Sequence, residues 1–197
     1  MVLEIVGARF LARDFGGSFY VWVSQIGVIL TALALGYFIG GALADRWQRL
    51  AWLAWLLVPA GVFTFLIPSF AKLVLDAIVL RHPPHQAIPL FWQKVDPAIG
   101  SALIFLLPCS ALAVLSPYLI RLAALRLTHV GRIAGLIHAA STVGGIGGVF
   151  LSGYWLIEHF SVSTIFRAMG GLTAGLGLAC LFLDGWFRQN PPTKAPL

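Results

Sequence analysis

The chain has 197 residues, 59% hydrophobic and 10% charged, with a formal net charge of +6 and a mean hydropathy of +0.92. An ordinary soluble domain carries about 25% charged residues, so this composition excludes a water-soluble fold. It also argues against a nucleic-acid partner, because the arginines stand singly or in small groups between apolar runs, as in the cytoplasmic loops of a membrane protein, and form no continuous basic patch.

The first segment carries Glu4, Arg9 and Arg13 with no long apolar run before them, so no cleavable signal peptide is expected. Glu4 and Arg9 fall in or near the membrane, where an unpaired charge costs roughly 2.5–3.5 kcal/mol. Pairing is therefore expected, although five residues of separation suit a direct bond on one helix poorly. Such charges either line a substrate path or partner contact, or bridge to other helices and fix the bundle.

The first full span is expected at 19–44 and is closed by Asp45, Arg46, Trp47, Gln48 and Arg49. The second, 50–70, follows almost at once and contains Pro59 and Pro68, with a kink expected near Pro59. Residues 72–80, with Lys72 and Asp76 a turn apart, are too short to cross and are expected to lie in the interface. His82-Pro83-Pro84-His85 then breaks the chain, and Trp92 and Lys94 read as interface anchors. The histidine spacing suits a metal, but the prolines between them and the lack of a Cys or carboxylate cluster argue against one.

The third span, 98–120, contains Pro108 and Ser116-Pro117 and leads to a basic loop with Arg121, Arg126, His129 and Arg132. The fourth, 133–157, and the fifth, 163–183, are rich in glycine, and a polar tail covers 188–197 beyond a membrane domain of 1–187. Gly131 with Gly135, Gly144 with Gly148, and Gly171 with Gly175 each place two small residues on one helix face, the arrangement that lets helix backbones approach in a membrane. Gly144 and Gly148 are expected to pack inside the bundle, and Gly171 and Gly175 against another chain. The Gly144–Gly148 run resembles a nucleotide loop only superficially, since it sits within an apolar helix. Cys109 and Cys180 fall inside spans as buried thiols, and His138, near Ser141 and Thr142, suits a proton or ligand site, although a lone histidine among small residues is more often a packed, hydrogen-bonded one.

If every span crosses once, the loops with Arg46 and Arg49, with Arg121, Arg126 and Arg132, and with Arg188 and Lys194 share one side, which the positive-inside rule makes cytoplasmic. The fold class is all-α, a polytopic transmembrane helical bundle.

Residues 36–49, Gly-Tyr-Phe-Ile-Gly-Gly-Ala-Leu-Ala-Asp-Arg-Trp-Gln-Arg, resemble the loop between the second and third helices of the major facilitator superfamily. Gly41, Leu43, Ala44, Asp45, Arg46 and Arg49 fit its Gly-x-Leu-Ala-Asp-Arg-x-Gly-Arg pattern, and Gln48 replaces the second glycine. The resemblance implies a loop that locks one gate state; the residues alone also suit a plain helix-to-helix turn in which the acid meets a neighbouring helix end.

Leu-Glu-Ile-Val-Gly-Ala-Arg-Phe-Leu-Ala at 3–12, Phe-Gly-Gly-Ser at 15–18, Val21-Trp22, Pro108, Ser-Pro-Tyr at 116–118, Arg121, Val-Gly-Arg-Ile-Ala-Gly at 130–135 and Ser141-Thr142 together look like the membrane domain of bacterial fused facilitator-like spermidine synthases. The resemblance covers most of the chain and implies a six-helix half architecture. In that family a first helix begins well before the Glu-Ile-Val-Gly-Ala-Arg segment, so the first helix here reads as truncated. No Rossmann-like strand, glycine loop and acid occur in order for the family's donor site.

The expectation is therefore a non-enzymatic subunit of the bacterial inner membrane, an anchor or accessory component in contact with membrane lipids and other membrane chains, with no catalytic residue, cofactor or metal. A small transporter working as a dimer of six-helix halves on polyamines or other organic cations, and a membrane partner for a separately encoded synthase-like chain, are the alternatives.

Overall fold

The computed structural model describes residues 1–17, 19–47, 49–82, 88–123 and 130–189. Gln48, Ser18, His85, Arg126, His129, Lys194 and the tail from 190 onward lie outside the described residues. The structure is 92% helical with no strand among the described residues, so the all-α class holds. We number the helices α1 (Val2–Phe15), α2 (Phe19–Arg46), α3 (Ala51–Val79), α4 (Leu90–Ala123), α5 (Val130–His159) and α6 (Val162–Gln189). The last five are long and apolar enough to cross a membrane, and the chain is a multi-pass membrane protein.

Two elements differ from the sequence expectation. Residues 72–79 do not form a separate interfacial helix but continue α3 without a break. Its 29 residues reach about 43 Å at 1.5 Å per residue, longer than the ~30 Å hydrocarbon core, so the turns bearing Lys72 and Asp76 extend toward the polar zone. The third span starts at Leu90 rather than 98, and Trp92 and Lys94 therefore belong to the first turns of α4.

Each long helix buries a narrow stripe. On α2 it is Val21, Gln25, Ile29, Ala32, Gly36, Gly40 and Ala44, spaced by three or four residues so that all share one face. Gly36 and Gly40 bring α2 onto α4: a Cβ at Gly36 would lie 2.3 Å from the Ser110 carbonyl oxygen, and one at Gly40 2.8 Å from Val114 O. The most intimate pair is α3 with α6. There a Cβ on Gly61 would come 2.4 Å from Ala174 N, and one on Gly170 2.4 Å from Phe65 N. Backbone touches backbone, and dispersion between two close surfaces supplies the association that hydrophobic exclusion supplies in water.

The main core gathers Val6 and Leu11 of α1, Ile67 and Leu75 of α3, Ile104 and Phe105 of α4, and Phe166 of α6. Within α4, residues Ala102–Leu106 form a π-helical turn. Pro108 has no N–H for the carbonyl four residues earlier, Ile104, and the widened turn lies across that gap. A second cluster, with Ala44, Leu53, Leu57 and Tyr118, closes the end where α2 turns into α3.

Helix α5 differs from the rest. None of Val130–Phe150 is buried, and only Ser152 is in the π-helical segment Leu151–Leu156 that follows.

Candidate functional site

The structure places polar groups at three levels: a clasp at the α2–α3 turn, a cavity partway through the bundle, and a second clasp at the opposite end.

At the α2–α3 turn, Asp45 ends α2 and meets Arg121 of α4, Nε to Oδ1 at 3.0 Å. Side-chain exposures of 73% for Asp45 and 48% for Arg121 keep this pair in the weak surface class, about 0.2–1 kcal/mol. Arg46 lies over the Trp47 ring at 5.3 Å, and Trp47 stacks on Trp52 at 4.3 Å. Neither Arg46 nor Arg49 pairs with Asp45 among the described residues. The stronger fastening is Tyr118, which the sequence reading did not single out as a site. Its side chain is 1% exposed; the hydroxyl donates toward the carbonyls of Trp47 and of Arg49, the latter at 2.8 Å, and accepts from the Arg49 N–H at 3.3 Å. One phenol thereby holds backbone groups on both sides of the turn, adding to the bond that the Arg49 carbonyl accepts from the Trp52 N–H at 3.2 Å. Gly41 faces open space, and the close approach in this region belongs to Gly36 and Gly40.

Glu4 and Arg9 do not pair. Five residues along an α-helix is a rotation of about 140°, so Arg9 is exposed while Glu4, half-buried, turns inward. No ion pair to either is present among the described residues. Glu4 instead lines a cavity of about 530 Å³ walled by α1, α2, α4, α5 and α6, together with Tyr37, Cys109, Ser116 and Ser141. The Ser116 hydroxyl is buried without a hydrogen-bond partner in the protein. Deeper in the same bundle, Ser101 donates to Gln25 Oε1 at 2.6 Å, and the Gln25 amide nitrogen, which would meet a Cβ on Gly7 at 2.6 Å, has no partner.

At the other end, Asp96 is 3% exposed and accepts from Arg81 on one oxygen and from His82 Nε2 on the other, at 2.6 Å. Arg81 also lies 4.2 Å over the Trp92 ring, which joins the α3 end to the first turns of α4. His82 is thus engaged by a carboxylate, and no group of three His, Cys, Asp or Glu capable of holding a metal occurs among the described residues. From the sequence Asp96 reads only as one of the mixed charges on the side opposite the basic loops, because it lies just outside the expected span, where an acid reads as solvated. His138 is exposed, and the hydroxyl of Thr142 bonds its carbonyl at 2.8 Å.

Of the glycine pairs chosen from the sequence, Gly144 with Gly148 departs from expectation. Gly144 has open space where a Cβ would be, so it does not pack inside the bundle, and Gly148 has only the Val2 side chain at 3.3 Å and Met1 beyond it. Gly171 and Gly175 are open as well, while their neighbours Gly170 and Gly177 face α3. Comparison with family models, with curated proteins and with solved structures found no match.

Proposed function

We propose that the chain is a non-catalytic subunit of a bacterial inner-membrane assembly, an anchor or accessory component whose α5 is covered by another membrane chain. The observation that carries this reading is the outward face of α5. Gly131, Gly135, Ala139 and Thr142, spaced by four, four and three residues, share one exposed helix face. A Cβ at Gly131 or Gly135 meets nothing within 4 Å. Lipid tails gain little from small residues, whereas a second helix gains close contact. The outward Gly171 and Gly175 of α6 offer a second surface of the same kind. The resemblance to a facilitator-like half agrees with a unit that works beside further helices.

The test is site-directed crosslinking in native membranes. Cysteine placed at Gly135 is expected to crosslink to a defined second polypeptide, while cysteine at Val62, exposed on α3, does not. A Gly135→Leu, Ala139→Leu double variant is expected to insert and fold but to run as the free chain in native electrophoresis. A wild-type chain found only as a monomer in native membranes overturns the proposal.

A further inference from the structure

We propose that the bundle holds one anionic glycerophospholipid at the α2–α3 turn, its phosphate paired with Arg46 and Arg49 and one acyl chain lying in a groove between α2, α3 and α4. The groove measures about 300 Å³. Ile39 of α2, Trp55, Pro59 and Ala60 of α3, and Leu107 and Val114 of α4 line it, and no charged residue stands among its walls. Its one hydroxyl, on Ser110, already donates to the Leu106 carbonyl at 2.6 Å. The interior therefore suits hydrocarbon, while the Trp55 ring, 75% exposed, adds an amphipathic edge of the kind that settles at the headgroup level.

The arginines stand one headgroup's reach beyond this groove. Ile39 and Arg46 are seven residues apart on α2, so they share a face about 10 Å apart along the helix. Arg46 lies over Trp47, which stacks on Trp52, and Trp52 precedes Trp55 by three residues on one face of α3. Tyr118, one turn beyond Val114 on α4, bonds the Arg49 N–H and carbonyl and so fixes that residue's backbone next to the groove. Both arginine side chains are exposed, and neither makes an ion pair among the described residues, whereas Asp45 is engaged by Arg121. Arg132, opening α5, and Asp184, one turn beyond Cys180 in the cluster at this end, leave the arginines in excess over the acids. Exposed guanidinium groups pair bidentately with phosphate oxygens, and a basic site between membrane helices attracts anionic lipid. A zwitterionic headgroup brings a cation of its own to this basic end, and an apolar helix of another protein fills the groove but leaves both charges unanswered.

The experiment is native mass spectrometry of the whole chain in mild detergent, titrated with dioleoyl phosphatidylglycerol or with dioleoyl phosphatidylcholine, which has the same tails. Phosphatidylglycerol is expected to bind at one site per chain and ~10- to 30-fold more tightly, from a factor of ~5 for each arginine near an anionic headgroup. The Arg46→Gln, Arg49→Gln double variant is expected to bring it to the phosphatidylcholine level. Arg9→Gln with Arg13→Gln, an equal loss of exposed charge on α1, is expected to leave the preference unaltered. Pro59→Trp, which fills the groove from an exposed position and restores a helical N–H, is expected to weaken phosphatidylglycerol at least ~10-fold with helical content unchanged. Glycerol 3-phosphate, the headgroup chemistry without tails, is expected not to displace the lipid at equal concentration. Equal binding of the two lipids, a preference that survives the Arg46 and Arg49 changes or falls equally with those on α1, unweakened binding by Pro59→Trp, or displacement by glycerol 3-phosphate overturns the proposal. So does a second polypeptide crosslinked in native membranes from cysteine at Leu107, since a protein then occupies the groove.

Discussion

Helices α5 and α6 both carry glycines at helical spacing, yet they use them in opposite ways. On α6, Gly170 and Gly177 face α3 so closely that a Cβ would sit 2.4 Å from Phe65 N and 2.9 Å from the Val58 side chain. On α5, Gly131, Gly135, Gly144, Gly147 and Gly153 have nothing within 4 Å of that position. The first arrangement stabilises this chain from within; the second leaves a smooth surface that contributes nothing to the isolated chain. Glycine in a membrane helix is thus a licence for approach, and only the neighbour decides whether it is used.

Substitution tests this contrast most directly. Gly170→Leu is expected to disrupt the α3–α6 pair, because the added atoms meet backbone that has no room to move, at a cost of ~3 kcal/mol or more. The readout is the loss of monodisperse, helical protein in detergent. Gly135→Leu, on the open face of α5, is expected to change the stability of the isolated chain by less than ~0.5 kcal/mol. Equal losses for the two would erase the distinction.

The two ends of the α2–α3 turn sharpen the same point for polar contacts. Tyr118→Phe removes a buried hydroxyl from two carbonyls and one N–H, and is expected to lower stability by ~1–3 kcal/mol. Asp45→Asn alters only an exposed pair and is expected to cost under ~1 kcal/mol. Thermal unfolding in a single detergent ranks them, and a larger loss for Asp45→Asn would move the weight of the clasp from the phenol to the carboxylate.

The smallest effect concerns Asp14, on the last turn of α1 and outside the five long spans. Burial raises its pKa above the usual 3.8, and Asp76 raises it further, against the lowering by Arg13 and Lys72. A carboxyl whose folded pKa is raised favours the folded state when protonated. That contribution is complete below the unfolded value and is lost as pH rises through the folded one. Asp14→Asn is therefore expected to leave stability near pH 3 unchanged and to raise it slightly at pH 7. Unfolding temperatures at the two pH values check the sign.

The spans were legible because twenty apolar residues in a row leave few alternatives. Lys72 and Asp76 misled because two charges after Pro68 look like the end of a helix, whereas a helix longer than the hydrocarbon core carries such charges on its protruding turns. Spacing showed that Gly171 shares a face with Gly175, but not which face looks toward α3, since one step along the helix separates Gly170 from Gly171. Glu4 was visible as an intramembrane acid, but its inward direction and the cavity depended on five helices at once. Tyr118 was hidden for a similar reason: an aromatic near a helix end looks like an interface anchor until the turn beneath it is seen.

The π-helical turn at Ala102–Leu106 sets the angular phase of everything that follows it in α4. Such a turn accommodates one residue more than an α-helical turn, and one residue corresponds to about 100° of rotation. Asp96 at one end of the helix and Tyr118 at the other each meet their partners from this single helix, so both clasps are phased through that extra residue. The helix works as a camshaft, its two polar lobes keyed to each other by one widened turn, and a deletion inside Ala102–Leu106 would mistime one lobe while leaving composition and hydropathy almost untouched.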